Sequence, residues 1–190
     1  MTTPQAHGAS HPAPPDASTP RASPARPMRT WRLGADIDTD QLAPGHAMKH
    51  GIEVIARHCL EAVRPEFACE VRPGDVVVAG PNFGIGSSRE QAAQALKQLG
   101  VAAVVAPSYA GLFFRNACNL GLLLLTCAQA EQIEDGTAIS IDARAGRLTL
   151  RNGRNDGRVL ACDPIPGFLL DMVEAGGLLP QLKLRLEGKR

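Results

Sequence analysis

The stretch Gly80-Pro81-Asn82-Phe83-Gly84-Ile85-Gly86-Ser87-Ser88-Arg89-Glu90 places two hydroxyls and a guanidinium where an apolar run gives way to an amphipathic one. Upstream, Asp75-Val76-Val77-Val78-Ala79 is short, β-branched and preceded by Pro73-Gly74, which predicts a turn leading into a buried strand. Downstream, Ala92, Ala95, Leu96 and Leu99 recur at helical spacing with Gln91, Gln94, Lys97 and Gln98 opposite, and Gly100 stands where a helix ends. The serines therefore belong to a helix N-terminus, where free N–H groups and the positive end of the dipole favour a carboxylate or phosphate. Gly84 and Gly86 would let backbone approach such an anion, and Arg89 adds a bidentate donor. A second reading stays open at this point. Ser87 with Glu90, or Ser88 with Gln91, also fits a capping box that only satisfies orphan N–H groups. Two common glycine loops do not fit: the dinucleotide pattern needs a third glycine where Arg89 stands, and the phosphate loop needs a Gly-Lys-Ser/Thr that is absent.

Working outward, residues 101–106 read as a strand, 109–118 as a helix and 122–126 as a strand, so strand and helix alternate as in a parallel sheet with crossovers. The carboxyl end of the first of these strands is where an open α/β sheet normally holds its ligand, and the Gly-Ser-Ser-Arg loop falls there. Arg115 and Asn116, late in the second helix, are expected to cap its end rather than reach the loop. On the amino-terminal side, residues 29–33 read as a strand stopped by Gly34. Asp36, Asp38 and Asp40 follow without the glycine and glutamate of a calcium loop, and composition predicts a solvated turn. A helix is expected over 52–63, with Ile52, Ile55, Ala56 and Cys59 on one face. His46, His50 and His58 lack a recognisable ligand spacing and are read as surface histidines, so no metal site is expected on this chain. After a short connecting helix, residues 137–142, 147–151 and 158–162 form an expected antiparallel meander, and a last helix over 167–175 stops at Gly176-Gly177. The fold class is α/β: a mixed sheet with flanking helices and a C-terminal antiparallel meander. Residues 29–190 form one domain behind a disordered Pro/Ala/Ser-rich tail, residues 1–28.

Composition narrows the partners. The chain has 190 residues, 44% of them hydrophobic, enough for one domain with a real core. A formal net charge of +1 and an aromatic content of 4% give no case for nucleic acid or an anionic membrane. No apolar run approaches the length that spans a bilayer. Arg21 and Arg26 hint at a transit peptide, but the seven prolines of the tail oppose the amphipathic helix such peptides form. Cys59, Cys69, Cys118, Cys127 and Cys162 are odd in number and spread singly, against both a disulfide framework and a self-contained metal cluster. Cys118 and Cys127 sit in apolar runs and read as buried, inert thiols, and the expected location is the reducing cytoplasm.

Four blocks in order carry a family resemblance: Asp36-Ile37-Asp38-Thr39-Asp40-Gln41-Leu42-Ala43-Pro44, Asn82-Phe83-Gly84-Ile85-Gly86-Ser87-Ser88-Arg89-Glu90-Gln91-Ala92, Ser108-Tyr109-Ala110-Gly111-Leu112-Phe113-Phe114-Arg115-Asn116 and Ala175-Gly176-Gly177-Leu178. Together they resemble the swivelling domain of the aconitase superfamily, above all the separate small subunits of the 3-isopropylmalate dehydratase type, over about residues 29–185. The resemblance implies an aconitase-type β/β/α swivel domain in a heteromeric hydro-lyase. Such enzymes isomerise 3-isopropylmalate and 2-isopropylmalate in leucine biosynthesis by dehydration and rehydration. It implies Ser87 as a general base acting as an alkoxide, Arg89 as clamp on a substrate carboxylate, and Asp40 orienting the serine-arginine loop. Ser88, Asn82, Gly84, Gly86 and Lys49 fall among the substrate-binding positions, with Asn82 shaping the loop. No cofactor is implied on this chain. A 4Fe-4S cluster is expected on a large partner subunit, without which the chain is expected to be inactive. One departure bears on the small hydroxy-acid substrate: Ala47-Met48-Lys49 stands where similar small subunits carry a Tyr-Leu pattern, and Lys49 falls where homoaconitase-like members carry an arginine. Homoaconitate, or a methyl-substituted malate or citrate, is therefore an alternative substrate, and a stand-alone anion- or nucleotide-binding module is the alternative from another class.

Overall fold

The valines that precede the Gly-Ser-Ser-Arg loop do not alternate with polar residues, and a computed structural model, which describes residues 27–152 and 155–188, shows why. Both faces of their strand are covered. The chain opens with β1 (Met28–Arg32), a short helix α1 (Thr39–Leu42), a 3-10 turn at Gly45–Lys49, α2 (Ile52–Arg57) and α3 (Phe67–Glu70). Next come β2 (Val76–Val78), α4 (Glu90–Gln98), β3 (Ala103–Ala106), α5 (Gly111–Asn119) and β4 (Leu123–Thr126). Then β5 (Ala138–Asp142), β6 (Arg147–Leu150) and β7 (Val159–Ala161) lead to α6 (Gly167–Glu174) and α7 (Leu178–Glu187). The seven strands form one mixed sheet in the order β4-β3-β2-β1-β5-β6-β7, with β1 to β4 parallel and β5 to β7 antiparallel.

Successive side chains of a strand point to opposite faces, so Val77 and its neighbours Trp31, Val104 and Leu124 face one way while Val76, Val78, Val105 and Leu125 face the other. The first face packs against Leu42, Ile55, Ala56, Phe67, Ala92, Leu96 and Phe113 of α1 to α5. The second packs against Ile139, Leu148, Leu150 and Leu160, because the meander folds across the parallel strands. The result is three layers, meander, parallel strands and helices, with apolar burial driving both interfaces. α6 and α7 lie against α5 at the edge of the helical layer.

Several boundaries differ from the sequence reading. Met28 is already in β1, one residue before the expected strand, and the tail predicted as disordered lies, up to residue 26, outside the described residues. The aspartate run is not a solvated turn. Asp38 accepts from the Gln41 N–H, Gln41 returns a bond to the Asp38 N–H, and this capping box starts α1. α2 stops at Arg57 rather than residue 63, and Leu60 turns the chain with a φ of 63° and its N–H on the Gln41 carbonyl. The connecting helix is a single 3-10 turn, Ala130–Gln132. Beyond Gly176-Gly177 the chain continues into α7, because Pro180 lies in the first turn, where a missing N–H costs nothing. No described helix is long and apolar enough to cross a membrane.

At the amino end of β2, Asp75 is buried and receives the Trp31 indole N–H at 2.8 Å, the Arg29 guanidinium at 2.9 Å and the Arg72 N–H at 3.1 Å, all on Oδ2. The Arg29 and Arg64 guanidinium carbons lie 4.4 and 5.0 Å from the centre of the Trp31 ring, within cation–π range.

Candidate active site

The loops after β1, β2 and β3 extend the parallel pairing of their strands past the end of the sheet. Gly84 N–H donates to Ile37 O at 2.7 Å and Thr39 N–H to Ile85 O at 2.8 Å, so Asp38 and Ile85 pair as an isolated bridge. Phe83 N–H donates to Ser108 O and Ala110 N–H to Phe83 O, which ties the third loop to the second. The loops that carry Asp40, Asn82, Gly84, Gly86 and Ser87 thus converge at the carboxyl ends of the parallel strands, where open α/β sheets place ligands.

Ser87 and Ser88 do not cap α4. Its N-cap is Arg89, no side chain caps it, and no acceptor among the described residues meets the N–H groups of Ser88, Arg89, Glu90 and Gln91. The capping-box explanation of the serines therefore falls away. Ser87 is held instead by Thr39, the first residue of α1 and 1% exposed: the Ser87 N–H donates to Thr39 Oγ1 at 2.9 Å, and the two hydroxyl oxygens are 3.0 Å apart. Sequence reasoning passed over Thr39. The signal was present in the Asp38–Gln41 capping box, which fixes Thr39 at the start of a helix.

Both loop glycines answer to protein contacts. Gly84 has a φ of +79°, and a Cβ there would lie 2.2 Å from the Phe113 ring. At Gly86, φ is +105° and a Cβ would meet Thr39 Oγ1 at 2.9 Å. The close approach expected for an anion is made by Phe113 and Thr39. Asn82, with a φ of 62°, donates its amide to Asp36 Oδ1 at 2.9 Å and its N–H to Ser108 Oγ at 2.9 Å, which locks the start of the loop to its two neighbours.

Arg89 donates through Nη1 to the Asp40 carboxylate and to Ala43 O at 3.0 Å. Nε and Nη2 have no partner among the described residues, so the paired edge of the guanidinium is available. Asp40 touches Arg89 and orients it. Asn116, expected to cap α5, instead donates its side-chain amide to Ser88 O at 3.2 Å and braces the loop from the helical layer. Ser87, Ser88 and Asp40 are exposed to solvent and Arg89 is half-buried. Lys49 ends the Gly45–Lys49 turn, exposed, while Ala47 is buried and Met48 packs on the core.

The thiols do not gather. Cys59 is fully buried and its thiol is pushed far up by desolvation, and Cys118 is pushed up to about 11 for the same reason. Cys127 is buried, as expected, and its thiol is pulled down by the neighbouring Cys162 side chain, which is itself pushed up. Among the described residues no three cysteines converge, so this chain's side chains do not fit an iron-sulfur cluster. His46, His58 and Glu61 do come together, whereas His50 does not join them.

The chain is similar to known proteins. Residues 43–130 match the aconitase C-terminal domain. The chain is 46% identical over 152 residues to 3-isopropylmalate dehydratase small subunit 1 of Archaeoglobus fulgidus, covering 80% of this chain and 92% of that one. It is 42% identical over 152 residues to the methanogen homoaconitase small subunit of Methanothermobacter thermautotrophicus, covering 80% and 86%. A crystal structure of 3-isopropylmalate dehydratase from Methanocaldococcus jannaschii superposes with a TM-score of 0.79 at 36% identity, covering 86% of this chain and 96% of that one.

Proposed function

This chain belongs to the family of 3-isopropylmalate dehydratase small subunits, and from that premise we propose that it supplies the base and the carboxylate clamp of a heteromeric hydro-lyase interconverting 3-isopropylmalate and 2-isopropylmalate. The observation that carries this reading is the Ser87–Thr39 hydroxyl pair set beside an arginine whose outer edge is unspent. Dehydration of a hydroxy acid removes a proton next to a carboxylate, and a serine hydroxyl is too weak an acid to serve as base unless its anion is stabilised. Thr39 Oγ1 already accepts the Ser87 N–H, so its own proton is directed at Ser87 Oγ when that oxygen is ionised. A hydrogen bond to the charged form favours ionisation, and the free N–H groups at the start of α4 act in the same sense. Arg89, fixed by Asp40 and Ala43 O, offers Nε and Nη2 as a fork for the substrate carboxylate. Rehydration of the alkene returns the proton through the same hydroxyl.

Loss of the hydroxyl calls for a Lewis acid, and since the thiols of this chain do not gather, a 4Fe-4S cluster on a large partner subunit is the proposed source. The exposure of Ser87 and Ser88 supports a partner as well, because a water-excluded site needs a second wall that this chain does not itself provide. Five free cysteines suit a reducing, cytoplasmic location.

A second substrate reading rests on Lys49 and on the likeness to a homoaconitase small subunit: an exposed ammonium at the end of the Gly45–Lys49 turn suits an extra carboxylate. One assay separates the readings. The chain is mixed anaerobically with its large subunit and reconstituted cluster, and alkene absorbance is followed on isopropylmalate, citraconate-type and tricarboxylic substrates. Turnover that needs both chains and is fastest on isopropylmalate is the expected result. Preference for a tricarboxylate, lost in Lys49→Ala, would replace the substrate. Failure to form any complex, with tight anion binding by the chain alone, would overturn the hydro-lyase reading.

A further inference from the structure

Away from Ser87 and Arg89, three side chains with metal-ligand chemistry converge from separate parts of the chain. His46 comes from the Gly45–Lys49 turn, His58 from the C-cap of α2 and Glu61 from the turn that follows. His46 Nε2 lies 3.3 Å from Glu61 Oε1 and His58 Nδ1 lies 2.7 Å from Glu61 Oε2, so each imidazole addresses its own carboxylate oxygen. The two rings meet edge to face with centroids 4.9 Å apart, and one donor atom from each residue falls within 4.8 Å of the others. This convergence depends on an unusual backbone. Leu60, fully buried, holds a φ of 63° with its N–H on Gln41 O at 2.8 Å, and the left-handed turn brings Glu61 back beneath His58.

We propose that His46, His58 and Glu61 bind one divalent transition-metal ion of the zinc class, fastening the Gly45–Lys49 turn to the end of α2. Two imidazoles and a carboxylate are a donor set that suits zinc, cobalt or nickel rather than calcium or magnesium, which take oxygen ligands. Metal–ligand bonds of about 2.1 Å in a tetrahedron put donor atoms roughly 3.4 Å apart. One donor atom from each residue already lies within 4.8 Å of the others, and rotation of the exposed imidazoles closes the remainder. A fourth position is left to water, and the side chains of His46, His58 and Glu61 are 60%, 40% and 39% exposed, which gives the ion a path of entry. The site is tied to α1 through the Leu60–Gln41 bond, one residue from the Asp40 that orients Arg89.

The full-length chain, stripped of metal, is titrated with Zn2+ by calorimetry and with Co2+ by visible absorption at pH 7.5, with the unfolding midpoint measured in parallel. One equivalent is expected to bind at low micromolar Kd or tighter and to raise the midpoint. Glu61→Gln and His58→Ala should each weaken binding at least tenfold and remove the midpoint shift, while Cys69→Ser, which takes away the exposed thiol, leaves both unchanged. His46→Ala, on an exposed turn, gives the same result should a substitution in the α2 region unfold the chain. Absence of saturable binding, binding indifferent to His46→Ala and Glu61→Gln, or binding lost in Cys69→Ser would overturn the proposal.

Discussion

At the amino end of β2, Asp75 is 7% exposed and its Oδ2 gathers an indole N–H, a guanidinium and a backbone N–H. At the other end of the same strand, Ser87 and Asp40 are open to solvent, Arg89 keeps Nε and Nη2 without partners, and the N–H groups that begin α4 have no acceptor. Both clusters are built around arginine and aspartate. In the first, the Nε–Nη2 edge of Arg29 is spent on Asp75, which joins β1 to β2. In the second, only enough donors are used to fix positions, and the remainder face outward. The difference teaches that an ion pair is informative about function through the guanidinium edge it leaves over, since a spent Nε–Nη2 edge has no fork left to offer a ligand.

The strongest way to break the comparison is at the buried end. Asp75→Ala strips a buried indole N–H and a half-buried guanidinium of their acceptor, and the expected loss of folding stability is about 3 kcal/mol. Chemical denaturation of the isolated chain reads it directly, and turnover per folded complex should stay near that of the parent. A loss of turnover without a loss of stability would show that the two ends do not divide their tasks in this way.

At the open end the effects reverse. Ser87→Ala should lower turnover in the reconstituted complex by at least about a hundredfold, the lower range for losing an acid-base group. The unfolding midpoint should barely move, since the side chain is exposed. Near-normal turnover would remove Ser87 from the role of base. Thr39→Val tests the support beneath it. The hydroxyl that pairs with Ser87 is lost while its packing is nearly kept, and kcat should fall about tenfold with KM little changed, the size of one hydrogen bond to a charged group. Recovery in Thr39→Ser separates positioning from general loosening of α1. Equal loss in both variants would assign Thr39 a packing role only.

The fold was legible wherever local pattern and tertiary environment agreed. Val76 to Val78 read as a buried strand because both faces are in fact covered, and the meander read as alternating because one of its faces meets solvent. Elements decided by distant contacts were not legible. α2 is cut short by a left-handed Leu60 whose N–H is satisfied by Gln41, nineteen positions away in sequence, and no periodicity announces that. α7 is disguised by Gly176, Gly177 and Pro180, although its leucines lie on a helix that buries none of them. In the candidate site, the serine-arginine motif and Asp40 could be named from the sequence, since residue type and helix-terminus chemistry are local. That Thr39 anchors Ser87, that Asn116 braces Ser88, and that Gly84 serves the Phe113 ring are all products of loops brought together by strand pairing. A single chain read in order does not reveal which loops become neighbours.

The smallest expected effect sharpens the comparison through pH. Beside Trp31, Arg64 donates from two nitrogens to both oxygens of Asp135, at 3.0 and 2.8 Å, and Arg32 N–H adds a third bond at 2.8 Å. The Arg64 hydrogen bonds hold the Asp135 carboxyl below the usual carboxylate range, against the opposing effect of burial. A carboxyl depressed in the folded state binds fewer protons there than when unfolded, so its contribution is complete above the unfolded pKa of about 3.9 and fades as pH falls through the lower folded value. Asp135 is 47% exposed, and solvent screening keeps that contribution below about 1 kcal/mol. Asp135→Asn should therefore be slightly less stable than the parent at pH 7, with the gap narrowing in urea melts taken progressively below pH 4. A gap that stays constant into acid would mean that Asp135 stabilises through the shape of its hydrogen bonds rather than its charge.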